Sequence, residues 1–168
     1  MTNTSSGNFY DTNQGQKNKL PQFLNVLTII TLVGCAIELI SSVWRFTSAE
    51  KSYNQVLEAQ KQMEGAPDWV KKMAGPEALE IARKTVENKT PLLLVTLAGT
   101  ALCLWGALEM RKLKKQGFLL WTVGEFLPII GSVIILGTGV FSGLAAFILL
   151  FPIIFLIMYA VNRKHLIY

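Results

Sequence analysis

Four apolar runs, roughly Phe23 to Phe46, Pro91 to Met110, Phe118 to Gly137 and Val140 to Val161, constrain this chain more than anything else in it. Each has about 20 residues or more, enough at ~1.5 Å per residue to cross ~30 Å of hydrocarbon. A backbone in lipid has no water to bond, so each run is expected to be a helix. With 51% hydrophobic residues and only 16% charged ones in 168, the chain is too apolar for an ordinary water-soluble domain. The expected fold class is all-α: an integral membrane bundle of four transmembrane helices with an extracytoplasmic amphipathic helical segment between spans one and two. The expected division is a disordered cytoplasmic tail over 1–19, span one over 20–46, an external cap over 47–90, span two over 91–110, a basic turn over 111–117, span three over 118–137, a turn and span four over 138–161, and a cytoplasmic tail over 162–168.

The polar tail before span one, rich in Asn, Ser, Thr and Gly, lacks the short apolar core and small-residue cleavage site of a removable signal peptide, so span one is read as permanent. Lys17, Lys19, Arg111, Lys112, Lys114, Lys115, Arg163 and Lys164 all fall on one side of a four-span chain, whereas the turn "GTGVFSG" on the other side carries no basic residue. The positive-inside rule then places both termini in the cytoplasm. Arg111, Lys112, Lys114 and Lys115 are candidate contacts to anionic lipid headgroups. The net charge of +5 reflects this topology; no aromatic-basic platform for nucleic acid is visible.

The segment from Thr47 to Thr90 is charge-balanced and carries helical signals. Tyr53, Val56, Leu57 and Met63 recur near the 3.6-residue period, "EGAPDW" breaks the pattern, and Gly75-Pro76 marks a second start with Leu79, Ala82 and Val86 on one face. Two or three amphipathic helices are expected there, with Trp69, Val70 and Met73 as candidate contacts to a partner or to headgroups.

Cys35 and Cys103 each sit inside a span without CxxC spacing, so neither a disulfide framework nor a metal site is expected. Span two offers Thr96, Gly99, Cys103 and Gly106 at helical spacing, and span three has Gly117, Gly124 and Gly131 at intervals of seven; both are close-packing faces. "FILLFPIIFLIMY" in span four is apolar on every side, so it is expected to face lipid, with a kink at Pro152. "VGCAIELISSV" from Val33 and "VGEFLPIIGSV" from Val123 agree at five of eleven positions, a faint trace of a duplicated helical hairpin.

Along span one, Thr28, Thr31, Cys35, Glu38, Ser42 and Arg45 form a polar stripe at steps of three or four. Glu38 and Glu125 are the two acids well inside the apolar runs. If the repeat alignment holds, Glu125 lies three positions before the equivalent of Glu38, ~4.5 Å nearer the cytoplasm at ~1.5 Å per residue, close enough for the two to share one polar pocket. Two close carboxylates in low dielectric do not both ionise without a counter-charge, which is the chemistry of a proton or cation relay. The structural alternative pairs Glu38 with Arg45, two turns away on the same face, and holds Glu125 through Thr122 or Trp121. The one His, His165, lies in the C-terminal tail, and no set of nucleophile, base and orienter is visible, so no enzyme and no cofactor are expected.

"KLPQFLNVLTIITLVG" and "MRKLKKQGFLLWTVGEFLPIIG", with the charged segment between them, resemble small uncharacterised four-span inner-membrane proteins of Gram-negative bacteria. That resemblance implies location and fold and supplies no site. Two functions follow as expectations. The first is an accessory or scaffolding subunit of a larger membrane complex, met through Glu38, Ser42, Arg45 and Glu125 and through the external helices, with homo-oligomerisation left open. The second is a small proton- or cation-coupled transporter using Glu38 and Glu125.

Overall fold

The computed structural model describes residues 21–62, 65, 67, 76–141, 150–163 and 166, all of them helical or in connecting turns. Five α-helices follow in order: α1 Gln22–Gln62, α2 Pro76–Glu87, α3 Lys89–Arg111, α4 Lys115–Leu136 and α5 Leu150–Asn162, with a 3-10 turn at Thr138–Phe141 between the last two. Three of them, α1, α3 and α4, are long and apolar enough to cross a membrane. The expected fourth span appears as the 13-residue α5, which begins at Leu150; the stretch 142–149 lies outside the described residues, and with it most of the chain on which the expected kink at Pro152 would show.

The largest departure from the sequence reading is α1, which runs unbroken for 41 residues. No helix break accompanies the expected boundary at Phe46, and the first helix expected in the cap continues α1 without interruption. No Gly or Pro lies between Cys35 and Gln62, so nothing in the backbone stops the helix when the apolar stretch gives way to charge. The second start falls where Pro76 predicts it, since proline's fixed φ and missing N–H suit a first helical position. Asn88 alone separates α2 from α3, and its Nδ2 donates to the Lys84 carbonyl at 3.0 Å.

The tightest joint is the antiparallel hairpin of α3 and α4, where the expected small-residue faces meet. A methyl placed on Gly106 would fall 2.5 Å from the Trp121 nitrogen and 2.7 Å from the Gly117 carbonyl. One on Gly124 would fall 2.6 Å from the Cys103 nitrogen and 2.7 Å from the Gly99 carbonyl. Here glycine is required because backbone touches backbone.

The turn between them is closed by a Schellman arrangement: Lys114 N–H donates to the Glu109 carbonyl at 3.1 Å and Leu113 N–H to the Met110 carbonyl at 2.9 Å. Leu113 holds φ at 61°, the left-handed position where glycine is usual, and its side chain is buried in the core. Glu109, buried at the end of α3, accepts from Lys112 Nζ at 2.7 Å and pairs with Lys114 Nζ at 2.6 Å. Two of the four candidate headgroup lysines and arginines therefore also clamp the turn.

α1 packs across α3 and against α2, and α5 leans on α1 and α4. A dense core gathers at the basic-turn end, where Leu24 and Leu27 of α1 meet Met110, Leu113, Trp121 and Tyr159. Tyr159 stacks at a tilt on Trp121, ring centroids 4.6 Å apart. α5, in the run expected to face lipid, has a buried side as well as an exposed one: Tyr159 turns inward, while Phe151, Ile154, Ile157 and Val161 stay exposed. Ile40, Trp44, Trp105 and Ile134 are likewise exposed, an outer surface that suits hydrocarbon rather than water.

Candidate functional site

Thr28, Thr31, Cys35 and Ser42 of the α1 polar stripe are buried in the bundle, while Glu38 is half-exposed and Arg45 exposed at the cavity rim. Thr28 Oγ1 donates to the Asn25 carbonyl at 2.9 Å and Ser42 Oγ to the Leu39 carbonyl at 2.8 Å. Thr31 Oγ1 and the Tyr159 hydroxyl share a buried hydrogen bond of 2.7 Å. Arg45 forms an ion pair with Glu38. The seven-residue separation makes this geometry natural: two turns put both side chains on one face, and arginine's length spans the ~10 Å of rise.

A cavity of about 720 Å³ opens between α1, α3, α4 and α5. Its floor is formed by Cys35, Cys103 and Trp121, and it reaches to Ala49, Thr85 and Lys89 at the α2 end. None of Leu24, Leu27, Met110, Leu113 or Tyr159 lines it, so the dense core lies beneath it toward the basic turn. Glu38, Ser42 and Arg45 line it from α1 and Glu125 from α4. Thr96, Thr100 and Ser132 add hydroxyls, although Thr100 and Ser132 donate to their own helix carbonyls at 2.9 and 2.7 Å. The two acids singled out in the sequence therefore do share one pocket.

Their situations differ. Glu38 has its arginine. Glu125 is met by the Cys103 thiol, whose Sγ lies 3.6 Å from Glu125 Oε2 and 3.6 Å from the Trp121 carbonyl. Gly124 brings this about, because its lack of a side chain lets Cys103 come against α4 one residue before the acid. Thr122 donates to the Phe118 carbonyl at 2.8 Å instead, so the expected hydroxyl partner of Glu125 is replaced by a thiol. Among the described residues no basic side chain lies within ion-pair distance of Glu125.

At the α2 end, Lys89 Nζ pairs with Glu50 at 2.9 Å and stands 5.6 Å from the centre of the Phe46 ring. Sequence reasoning missed Lys89 and Tyr159 around this site, whereas Trp121, expected as one holder of Glu125, lines the cavity and its carbonyl accepts from the Cys103 thiol. Tyr159 carried a signal, being a hydroxyl in an otherwise apolar run, but the apolar neighbours hid which face it occupies. At the other end, the Arg163 guanidinium lies 5.7 Å from the Phe118 ring centre, while Arg111 is exposed. Trp69, Val70, Met73 and His165 lie outside the described residues. No group of three or more His, Cys, Asp or Glu side chains suited to a metal ion occurs among the described residues.

Fold and site together define a class: a chain helical or in connecting turns throughout its described residues, with three helices long and apolar enough to cross a membrane, and a mostly apolar cavity between them lined by a charge pair and a separate carboxylate. No protein-family model, curated protein or solved structure matches the chain.

Proposed function

We propose that this chain is a small, non-enzymatic transporter of the bacterial inner membrane that couples a proton or a cation through Glu125, with Glu38 and Arg45 as the neighbouring charge pair. The observation that carries this reading is Glu125 itself, the cavity acid without a basic partner among the described residues. An isolated carboxylate in a low-dielectric interior must be neutralised, and a proton or a cation entering the cavity does so. Exchange of one neutralising species for another is the elementary event of coupling.

The cavity's one-sided shape supports a role in alternating access. In this conformation it reaches toward the α2 end and is closed beneath by Leu27, Met110, Trp121 and Tyr159. Release on the other side requires that layer to part, and the Thr31–Tyr159 hydrogen bond is its polar latch. In the full proposal the chain crosses four times, α5 completes the fourth span, the termini and basic turn face the cytoplasm, and α2 with the end of α1 faces outward. Cysteines at Ser48 and Glu87 then label from outside and one at Gln116 does not; reversed labelling refutes the orientation.

The coupling test is proton uptake into liposomes containing the purified protein, driven by a potassium diffusion potential and read with an internal pH dye. Glu125→Gln abolishes uptake and Glu38→Gln impairs it, with assembly unchanged. Uptake that survives leucine at both positions excludes the relay.

The accessory-subunit reading keeps one specific support. α1 continues about 16 residues beyond the expected span, a projection of ~24 Å at ~1.5 Å per residue. Its stripe, by contrast, finds its partners inside this chain and offers less to another. A photo-crosslinker at the exposed Gln55 should give heterologous adducts if a partner docks there, and one at Leu150 should give none.

A further inference from the structure

We propose that the cargo of the cavity is a hydrophobic organic monocation, such as a quaternary ammonium or phosphonium ion, held by Glu125 against aromatic rings. This rests on the transporter reading above and names its substrate class.

Size and charge carry the argument. A cavity of about 720 Å³ is far larger than a proton or a bare metal ion needs, and it falls within the ~300–1,000 Å³ of small-molecule sites. Most of its wall is hydrocarbon: Ile30, Leu92, Leu93, Ile129 and Leu136 line it. Trp121, Phe151 and Phe155 also face it, and the negative faces of aromatic rings attract cations that carry little hydration. A small inorganic cation would need several oxygen ligands to replace its water. Among the described residues no cluster of metal-ligating side chains is present to supply them. A hydrophobic monocation needs only one carboxylate and apolar contact.

Charge balance points the same way. Arg45 is matched by Glu38, and Lys89 by Glu50, which leaves the single negative charge of Glu125. An anionic amphiphile would have to displace one of these pairs and would leave Glu125 unmatched.

The charged and titratable groups around Glu125 are Cys35, Glu38 and Arg45 from α1, Lys89 and Cys103 from α3, and Tyr159 from α5; α2 adds only Thr85 to the cavity wall, and α4 has no second charged residue lining it. A proton on Glu125 removes the charge that holds the cation. Cation affinity therefore falls as pH falls, and binding at fixed pH releases a proton from any chain protonated there.

The experiment is binding of tetraphenylphosphonium to the purified full-length chain in mild detergent, by equilibrium dialysis, with tetraphenylborate as a probe of the same shape and opposite charge. Saturable binding of one tetraphenylphosphonium per chain is expected. It should weaken at low pH and drop on the order of 30-fold in Glu125→Gln, the lower end for losing one partner of a buried charge pair. Tetraphenylborate should show no site that depends on Glu125.

A second variant, Leu93→Trp, fills the cavity without replacing the acid and should block tetraphenylphosphonium binding. Equal binding of the two probes, or phosphonium binding unaffected by both variants, overturns the cargo class. If proton uptake still depends on Glu125 in that case, the relay stands and only the cargo is wrong. Loss of both dependences sinks the two together.

Discussion

Leu113 shows how one position can serve two opposed demands. Its left-handed backbone, φ 61°, closes the turn after α3 and costs an L-residue roughly 1 kcal/mol or more relative to glycine. Its side chain is 6% exposed and helps to seal the core at that end. Leu113→Ala keeps the backbone cost and loses the burial, about 2–5 kcal/mol. Leu113→Gly loses the same burial but relieves the backbone, so thermal unfolding in detergent should find glycine the milder change despite its smaller side chain. Glu80, outside the candidate spans, gives a pH prediction. A hydrogen bond from Lys84 Nζ, 2.8 Å away, holds its carboxyl below the usual glutamate value. A depressed folded value contributes helix stability above the unfolded value, ~4.3, which is lost as pH falls through the folded one. Lys84→Met should move the Glu80 titration midpoint, followed by carbon NMR, up toward the ordinary value.

At the scale of elements, glycines divide by what stands opposite them. Gly106 of α3 faces the backbone of α4, with the Gly117 carbonyl 2.7 Å from where a methyl would sit, while a methyl on Gly34 of α1 meets nothing within 4 Å. Gly106→Ala must therefore push two helices apart, and a loss of about 1–3 kcal/mol is expected from overpacking. Gly34→Ala should instead stabilise by about 0.5–1 kcal/mol, because glycine in a helix interior carries that entropic cost without a packing reason. Thermal denaturation of the two variants side by side checks the pair, and equal effects would refute the hairpin geometry. The heptad spacing of Gly117, Gly124 and Gly131 made α4's packing face legible in advance. The length of α1 was not, because the change from apolar to charged residues at Phe46 marks a change of solvent and leaves the helix backbone indifferent.

For the whole molecule, the asymmetry between a sealed basic-turn end and a cavity toward the α2 end is the property with the most consequence. Tyr159→Phe removes the hydrogen bond to Thr31 and should cost about 0.5–1.5 kcal/mol while keeping the ring on Trp121. A cysteine at Thr96, placed in a chain whose Cys35 and Cys103 are replaced by alanine, should react with a charged thiol reagent added on the α2 side and not with one added on the basic-turn side. Reaction from both sides would show a through-channel and remove alternating access.

Helical class, the three long apolar helices, the start at Pro76, the glycine faces and the Glu38–Arg45 pairing all follow from the sequence, because each depends on residues close together along one helix. Tertiary structure alone decided that Glu125 meets the Cys103 thiol, that Tyr159 seals the floor against Thr31 and that Lys89 stands by Phe46 and Glu50 at the far end. Those contacts join residues from separate helices. Periodicity within a helix states which face is polar, but rotation and depth against a neighbour are set by side-chain packing across the interface.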